Sequence, residues 1–134
     1  MSPSRRRDRA DKRRRFENQN VEDRRQEAPL DLEIRTKVKE GNLLVWINNA
    51  MLAQNCFPLR DEIFSSLNGA EVGRVILNME GVPYADTTAI GLLVDIHKKM
   101  KSRDIIFILF RVRERVNEVL NILQLDKILD IRNR

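Results

Sequence analysis

The feature that most constrains this chain is a segment at residues 74–100, where an apolar run and a helical pattern flank a short loop. Residues 75–79 form the apolar run, which is typical of a buried strand. Gly81 and Pro83 then interrupt the chain, because both residues favour turns over regular structure. The segment therefore predicts a strand followed by a tight loop.

The second half of the same segment has the periodicity of a helix. Its apolar residues recur at helical spacing: Ala89, Leu92, Leu93, Ile96 and Met100. Asp86, Thr87 and Thr88 stand where the loop meets this pattern. The spacing predicts a helix that opens on an Asp-Thr-Thr triplet, and the end of the loop is where we expect a chemical switch.

The 134 residues are enough for one domain, but the apolar residues are unevenly distributed. Residues 1–29 contain few large apolar side chains, whereas residues 30–134 have the composition of a folded domain. The net charge is divided in the same way. Residues 1–30 carry ten Lys or Arg and six Asp or Glu, a balance of +4, and the rest carries only +1.

Residues 1–29 are predicted to form a basic, disordered tail, because they cannot bury enough apolar surface to offset the entropy of ordering. One interpretation is a solvated tail that keeps the domain soluble. The other is an electrostatic arm for an anionic partner, either a nucleic acid or a membrane surface. Both interpretations remain open on the sequence.

The chain lacks the residue sets that enzymes and metal sites need. Cys56 and His97 are the only cysteine and histidine, which excludes an internal disulfide and argues against a structural zinc site. The sequence contains no Gly-rich phosphate loop and no Ser/His/Asp set. No apolar run is long enough to span a membrane. We expect a non-enzymatic protein without cofactor or metal, in the cytoplasm.

The remaining patterns predict an α/β domain. Residues 32–38 and 43–47 read as an antiparallel hairpin, and residues 105–110 as a strand covered on both faces. Apolar stripes predict helices at residues 58–67 and 112–123. Strands separated by helices are joined by crossovers, so the central sheet should be mostly parallel, with an antiparallel edge strand and helices packed against it.

The residues from Val75 onward resemble the STAS domain of bacterial anti-sigma factor antagonists. That family has a strand, a loop that ends in Asp-Ser or Asp-Thr, and a helix directly after it, as in residues 86–91, DTTAIG. The strand at residues 105–110, the next helix and the ending LQLDKIL at residues 123–129 are similar too. Residues 32–67 match more weakly, and the tail is outside the resemblance.

The resemblance implies a non-catalytic switch. In that family, a partner kinase that is also an anti-sigma factor phosphorylates the hydroxyl residue after the aspartate. That residue is Thr87 here, with Thr88 as the fallback. Most members have serine at this position, and many have glycine where this chain has Ala89. The implied partners are an anti-sigma factor or serine/threonine kinase, and a phosphatase.

The physics of a helix start also suits an anion at Thr87. The first N–H groups of a helix lack partners within it, and the helix dipole favours negative charge there. The simpler interpretation is that Asp86, Thr87 and Thr88 only cap the helix. Ile90 and Val94 lie beside the main apolar stripe, so they either broaden the core face or form an apolar strip that docks a partner with the triplet.

The sequence leaves two other functions open and argues against a third. The first is an unphosphorylated STAS scaffold in a transport or stress-signalling complex. The second is nucleic-acid binding through the basic tail. The third, a receiver phosphorylated on Asp86, is rejected because residues 38–40 and 47–49 do not supply the acidic pair that would hold Mg²⁺.

Overall fold

A computed structural model describes residues 31–133. The basic tail and its expected disorder lie outside the described residues. Five strands form one sheet in the order β1-β2-β3-β4-β5. Their bounds are Glu33–Lys39, Asn42–Asn48, Arg74–Gly81, Ile106–Phe110 and Asp130–Arg132. β1 and β2 pair antiparallel, and the other neighbours pair parallel. The predicted fold class, a mostly parallel sheet with an antiparallel edge strand, is confirmed.

Three α-helices connect these strands. They are α1 at Phe57–Leu67, α2 at Thr87–Ser102 and α3 at Glu114–Ile122, and a short 3₁₀ helix at Leu125–Lys127 precedes β5. Pro58 lies in the first turn of α1, where its missing N–H leaves no acceptor unpaired. Each predicted helix exists, with ends that differ by a few residues from the predicted ones.

The hairpin between β1 and β2 closes through Glu40 and Gly41. Both residues have positive φ, 52° and 80°. Two central residues with positive φ are characteristic of the type I′ turn, whose twist matches that of the flanking strands. This turn sets the register in which Arg35 faces Trp46.

One face of the sheet packs against the helices. Its central side chains are at most 3% exposed: Leu43, Val45, Ile47, Val75, Leu77, Met79, Phe107 and Leu109. The buried residues of α1, α2 and α3 belong to the same core cluster. Because side chains alternate along a strand, the residues between them point to the other face. No described helix packs against that face.

The prediction that residues 105–110 are covered on both faces is therefore wrong in part. Ile106 is 49% exposed, and Phe110 is half-buried. The run is apolar on both sides, yet within residues 31–133 the helices cover one side alone. None of the described helices is both long enough and apolar enough to cross a membrane.

Candidate functional site

The Asp-Thr-Thr triplet lies where the chain leaves β3 and enters α2. Asp86 is the N-cap of α2, with the extended backbone (φ −84°, ψ 177°) that this position requires. Its Oδ1 accepts a hydrogen bond of 2.9 Å from the backbone N–H of Ala89. The capping predicted from the sequence is therefore present.

Asp86 also ties the helix to the loop that precedes α1. Its Oδ2 accepts a hydrogen bond from the N–H of Ala53 at 2.9 Å, and its own N–H donates to the carbonyl of Met51 at 3.0 Å. The N–H of Met51 in turn donates to the carbonyl of Tyr84 at 2.9 Å. Both carboxylate oxygens of Asp86 are thus used inside the domain, where they hold the start of α2 against the loop before α1.

Asn55 holds the same loop from inside, and sequence reasoning missed it. The side chain is buried, with 7% exposed. Its Nδ2 donates to the carbonyl of Ala50 at 2.9 Å, and its Oδ1 accepts from the N–H of Leu52 at 2.8 Å. The sequence signal that could have identified it is an asparagine just before a predicted helix, since such side chains commonly hydrogen-bond to nearby backbone groups.

Thr87 and Thr88 are both exposed on the first turn of α2. Asp86 accepts hydrogen bonds from the N–H groups of Ala89 and Ile90. Its Oδ1 accepts from Ala89 and its backbone carbonyl accepts from Ile90, each at 2.9 Å. The amides of Thr87 and Thr88 are the two in this turn without a described acceptor. A group attached to either hydroxyl would therefore stand in solvent, at the positive end of the helix dipole.

The two apolar residues that follow on α2 differ in their exposure. Ile90 is 3% exposed and belongs to the core cluster, so it does not form a surface strip. Val94 is half-buried, and Gly91 is exposed. The structure supports the broader core face for Ile90. The outward side of the helix presents Thr87, Gly91 and Val94 in succession.

Two exposed aromatic residues lie at or just before the starts of α1 and α2, and sequence reasoning did not identify them. Phe57, the first residue of α1, is 51% exposed, and Tyr84 in the loop before Asp86 is 37% exposed. The guanidinium of Arg115 lies 5.0 Å from the centre of the Tyr84 ring. Aromatic side chains are usually predicted to lie in the core, so nothing in the sequence indicated that these two rings are exposed.

Cys56 lies behind this surface and is fully buried. Burial is the main cause that raises the pKa of its thiol, and the nearby negative charge of Asp86 raises that pKa further. A thiol with a raised pKa is a weak nucleophile at neutral pH. Its burial and raised pKa fit a small core side chain, not a reactive thiol.

A small ion-pair network follows the triplet on α2. Asp95 accepts from Arg60 of α1 at 3.2 Å and from Lys99 at 3.1 Å. These side chains are roughly 40% exposed, so each pair contributes little to stability. The described residues contain no cluster of His, Cys, Asp or Glu that could hold a metal ion.

Comparison with known proteins identifies a family and several solved structures that this chain resembles. The model of the STAS domain family matches residues 33–134. A Thermotoga maritima protein described as an anti-sigma factor antagonist is 24% identical, with a TM-score of 0.69 over 75% of this chain and 86% of that one. The Bacillus cell fate determinant SpoIIAA in its phosphorylated form is 14% identical, with a TM-score of 0.57 over 75% and 89%.

A sulfate transporter family protein from Wolinella succinogenes has the same fold. It is 23% identical, with a TM-score of 0.59 over 73% of this chain and 81% of that one. At these identities the structural matches establish shared architecture, and anti-sigma factor antagonists and a transporter-family protein are both among them. The family match spans the whole described sheet, and the Asp-Thr-Thr loop lies within it. The chain therefore belongs to the STAS domain family.

Proposed function

We propose that this chain is a non-catalytic phospho-switch, an anti-sigma factor antagonist that binds an anti-sigma factor or serine/threonine kinase while Thr87 is unmodified. Phosphorylation of Thr87 releases the partner. The observation that carries the proposal is that Asp86 and Thr87 have different roles in the triplet. Asp86 uses both carboxylate oxygens inside the domain, while the adjacent Thr87 is exposed.

A phosphate on Thr87 changes the surface without requiring a change of fold. It adds about −1.5 to −2 charges and three acceptor oxygens. The helix start tolerates this charge, because the dipole favours an anion and so do the amides of Thr87 and Thr88, which have no described acceptor. A partner that packs closely over the helix would have to desolvate the phosphate, at a cost that its contacts with the unmodified surface do not offset.

The surroundings of Thr87 fit a protein partner. Phe57, at the start of α1, and Tyr84, two residues before Asp86, present exposed rings. Aromatic residues supply much of the binding energy in protein interfaces. Gly91, one turn after Thr87, has no side chain, so another backbone can approach α2 there. We propose Thr87, Thr88 and Val94 as partner contacts, with Asp86 holding the helix start in place.

The structural neighbours include proteins that fit this function and one that represents another use of the fold. SpoIIAA has been solved in its unphosphorylated and its phosphorylated forms, and its unphosphorylated form is described as an anti-sigma factor antagonist. The same architecture occurs in a sulfate transporter family protein. An unphosphorylated scaffold is therefore the competing function, and the experiments below separate the two.

The first test is direct. The full chain is incubated with a candidate anti-sigma kinase and ATP, and the modified residue is located by peptide mass mapping. We expect one phosphate on Thr87. Thr87→Val removes the hydroxyl at similar volume and should abolish the modification, whereas the matched Thr88→Val variant should retain it. Phosphate on neither threonine with any kinase that binds the chain would contradict the switch.

The second test separates the switch from a scaffold. Thr87→Glu places a negative charge on the first turn of α2, where acidic residues are tolerated, so the protein should remain folded. Its binding to the same kinase should weaken at least about tenfold, a difference of about 1.4 kcal/mol in binding free energy. Thr87→Gln is the uncharged control. Equal binding by the unmodified chain, Thr87→Glu and Thr87→Gln would favour the scaffold.

A further inference from the structure

The face of the sheet that no described helix covers has an unusual row of side chains. The register aligns five residues across all five strands: Arg35, Trp46, Asn78, Phe110 and Arg132. Two aromatic rings therefore flank a central amide, and an arginine closes the row at each end. Strands lie about 4.8 Å apart, so the two rings are separated by about 10 Å.

The neighbouring positions form an open depression with a mixed lining. Leu44, Ile76 and Ile108 provide an apolar floor beside Trp46 and Phe110, and Arg74 lies at its edge. The depression has a volume of about 380 Å³. A ligand with flat apolar surfaces and negative charge would match both parts of this lining.

Cations on this face outnumber the acids that could neutralise them. Arg35, Lys37, Lys39 and Arg74 are exposed, and within the described residues none of them forms an ion pair. The guanidinium of Arg35 instead lies 5.6 Å from the centre of the Trp46 ring. These four positive charges remain available to an anion.

Two of the three acidic residues described on the same face are paired with arginines. Asp130 accepts two hydrogen bonds from Arg132, at 2.9 and 3.0 Å. Glu80 pairs with Arg111 at 3.5 Å, and Arg111 also lies 5.1 Å from the centre of the Phe110 ring. The carboxylate of Glu33 accepts from Asn48 at 3.4 Å. Asn48 is a neutral partner, so Glu33 keeps its negative charge, but the four cations without a described ion pair outnumber it and the net charge of the face is positive.

Asn78, at the centre of the row, has a fixed amide. Its Oδ1 accepts a hydrogen bond from the N–H of Glu80 at 2.9 Å. This bond leaves Nδ2 without a described acceptor, so it can donate to the edge of a bound ring. An amide donor between two aromatic faces suits a nucleobase, which combines a flat apolar surface with polar edges.

From this geometry we infer that the uncovered sheet face binds a single-stranded nucleic acid. Bases stack on Trp46 and Phe110, Asn78 donates to a base edge, and the cations along β1 and at Arg74 contact phosphates. Aromatic residues and a positive surface are the two components that single-strand binding requires. The site is distinct from Thr87, which lies at the start of α2.

Charge favours this occupant over a second copy of the chain. A two-fold interface through the same face would bring together two sets of cations that have no ion pair within residues 31–133, and like charges at an interface oppose association. A nucleic acid supplies one negative charge per nucleotide against the same cations. An acidic amphipathic helix would use the apolar floor of Leu44 and Ile76, but it would leave the ring–amide–ring row without a matching partner.

The test uses the fact that Trp46 is the only tryptophan in the chain. The full-length protein is titrated with oligothymidylate and with oligouridylate of about 12 nucleotides, while Trp46 fluorescence is recorded. We expect quenching that saturates, because a base stacks on the indole. Binding should also weaken steeply with salt, with a slope of about −0.7 per phosphate contact.

Charge variants assign the binding to this face. Arg74→Glu and Lys37→Glu should each weaken oligonucleotide binding at least about tenfold and flatten the salt dependence. Lys98→Glu, which reverses an exposed charge on α2, is the matched control and should bind as the unmodified chain does. Trp46→Leu should weaken binding about 5- to 150-fold when a labelled oligonucleotide is followed by anisotropy.

Two results would overturn the inference. One is an anisotropy change without quenching of Trp46, which would place the nucleic acid on the basic tail or on another surface. The other is a Trp46 signal that depends on protein concentration and not on oligonucleotide, which would indicate self-association through this face. Neither result bears on phosphorylation of Thr87, so the two proposals stand or fall separately.

Discussion

Removing the Asp86 carboxylate should destabilise the domain, and the loss of stability has two contributions, one from each hydrogen bond that the carboxylate accepts. The carboxylate caps α2 through Ala89 and holds the loop before α1 through Ala53, each at 2.9 Å. Loss of an N-cap costs about 1 kcal/mol. The second hydrogen bond adds about 0.5–1 kcal/mol, at the low end because Ala53 is exposed and water can replace the carboxylate. Asp86→Ala should therefore lose about 1.5–2 kcal/mol.

Two further variants separate these contributions. Asp86→Ser keeps one oxygen for the cap but cannot reach both amides, so it should lose only about 0.5–1 kcal/mol. Asp86→Asn has one acceptor oxygen, and its amide nitrogen would face one of the two N–H donors. Its loss of stability should lie between those of Asp86→Ser and Asp86→Ala.

Urea unfolding of the full chain, followed by Trp46 fluorescence, measures these free energies. Asp61→Ala is the matched control, because Asp61 is exposed on α1 and makes no hydrogen bond or ion pair with the described residues. It should change stability by less than about 0.5 kcal/mol. A loss of similar size in Asp86→Ala and in the control would refute the assigned role of the carboxylate.

The remaining predictions concern two glycines and the histidine. Gly81→Ala should destabilise by about 1–3 kcal/mol in the same unfolding assay, because a Cβ there overlaps the Asn48 side chain and lies 2.8 Å from the Ile47 carbonyl. Gly91→Ala is its counterpart: nothing lies within 4 Å, so the helix should gain about 0.5–1 kcal/mol, and a loss there would contradict the described space. Burial, and then the charge of Lys101, lower the pKa of His97 from 6.5, although Asp130 opposes the shift. Below about pH 6.5 the unfolded chain therefore binds the proton more readily than the folded one, so stability should fall as the pH drops through this value. His97→Gln should lose that part of the pH dependence, and an unchanged profile would show that His97 does not cause it.

The elements could be predicted from the sequence because their apolar periodicities are clear, but their ends depend on tertiary contacts. The last helix was predicted from residue 112, yet it begins at Glu114. Arg111 has a φ of 60°, and the N–H of Val112 donates to the side chain of Asn133 at 2.9 Å. A partner 21 residues away keeps this segment out of the helix, and no local pattern shows such a bond.

The start of β4 differs for a similar reason. Ile105 belongs to the apolar run and was predicted within the strand. Its N–H donates to the carbonyl of Met100 at 2.9 Å, so the residue closes the turn after α2 and the strand begins at Ile106. Composition identifies the run, but the competition between a turn and a ladder hydrogen bond decides its first residue.

The position of the candidate site could be predicted, whereas its supporting residues could not. The end of a strand, a loop and a helix start are local, and they placed Asp86, Thr87 and Thr88 correctly at the first turn of α2. The bond from Ala53 to Asp86 joins residues 33 positions apart. The exposure of Phe57 and Tyr84 likewise depends on which faces the fold leaves uncovered, and that is a property of the assembled sheet and helices.

Capping and switching are not competing uses of the triplet, because they fall on different atoms. Asp86 satisfies the amides that would otherwise destabilise the helix start, and it does so without the Thr87 hydroxyl. Thr87 therefore has no described structural task that a phosphate would disrupt. Variants of Asp86 should act mainly on unfolding free energy, and variants of Thr87 mainly on partner affinity. A Thr87→Val variant that lost as much stability as Asp86→Ala would show that one residue performs both tasks, and the separation on which the proposed switch depends would be lost.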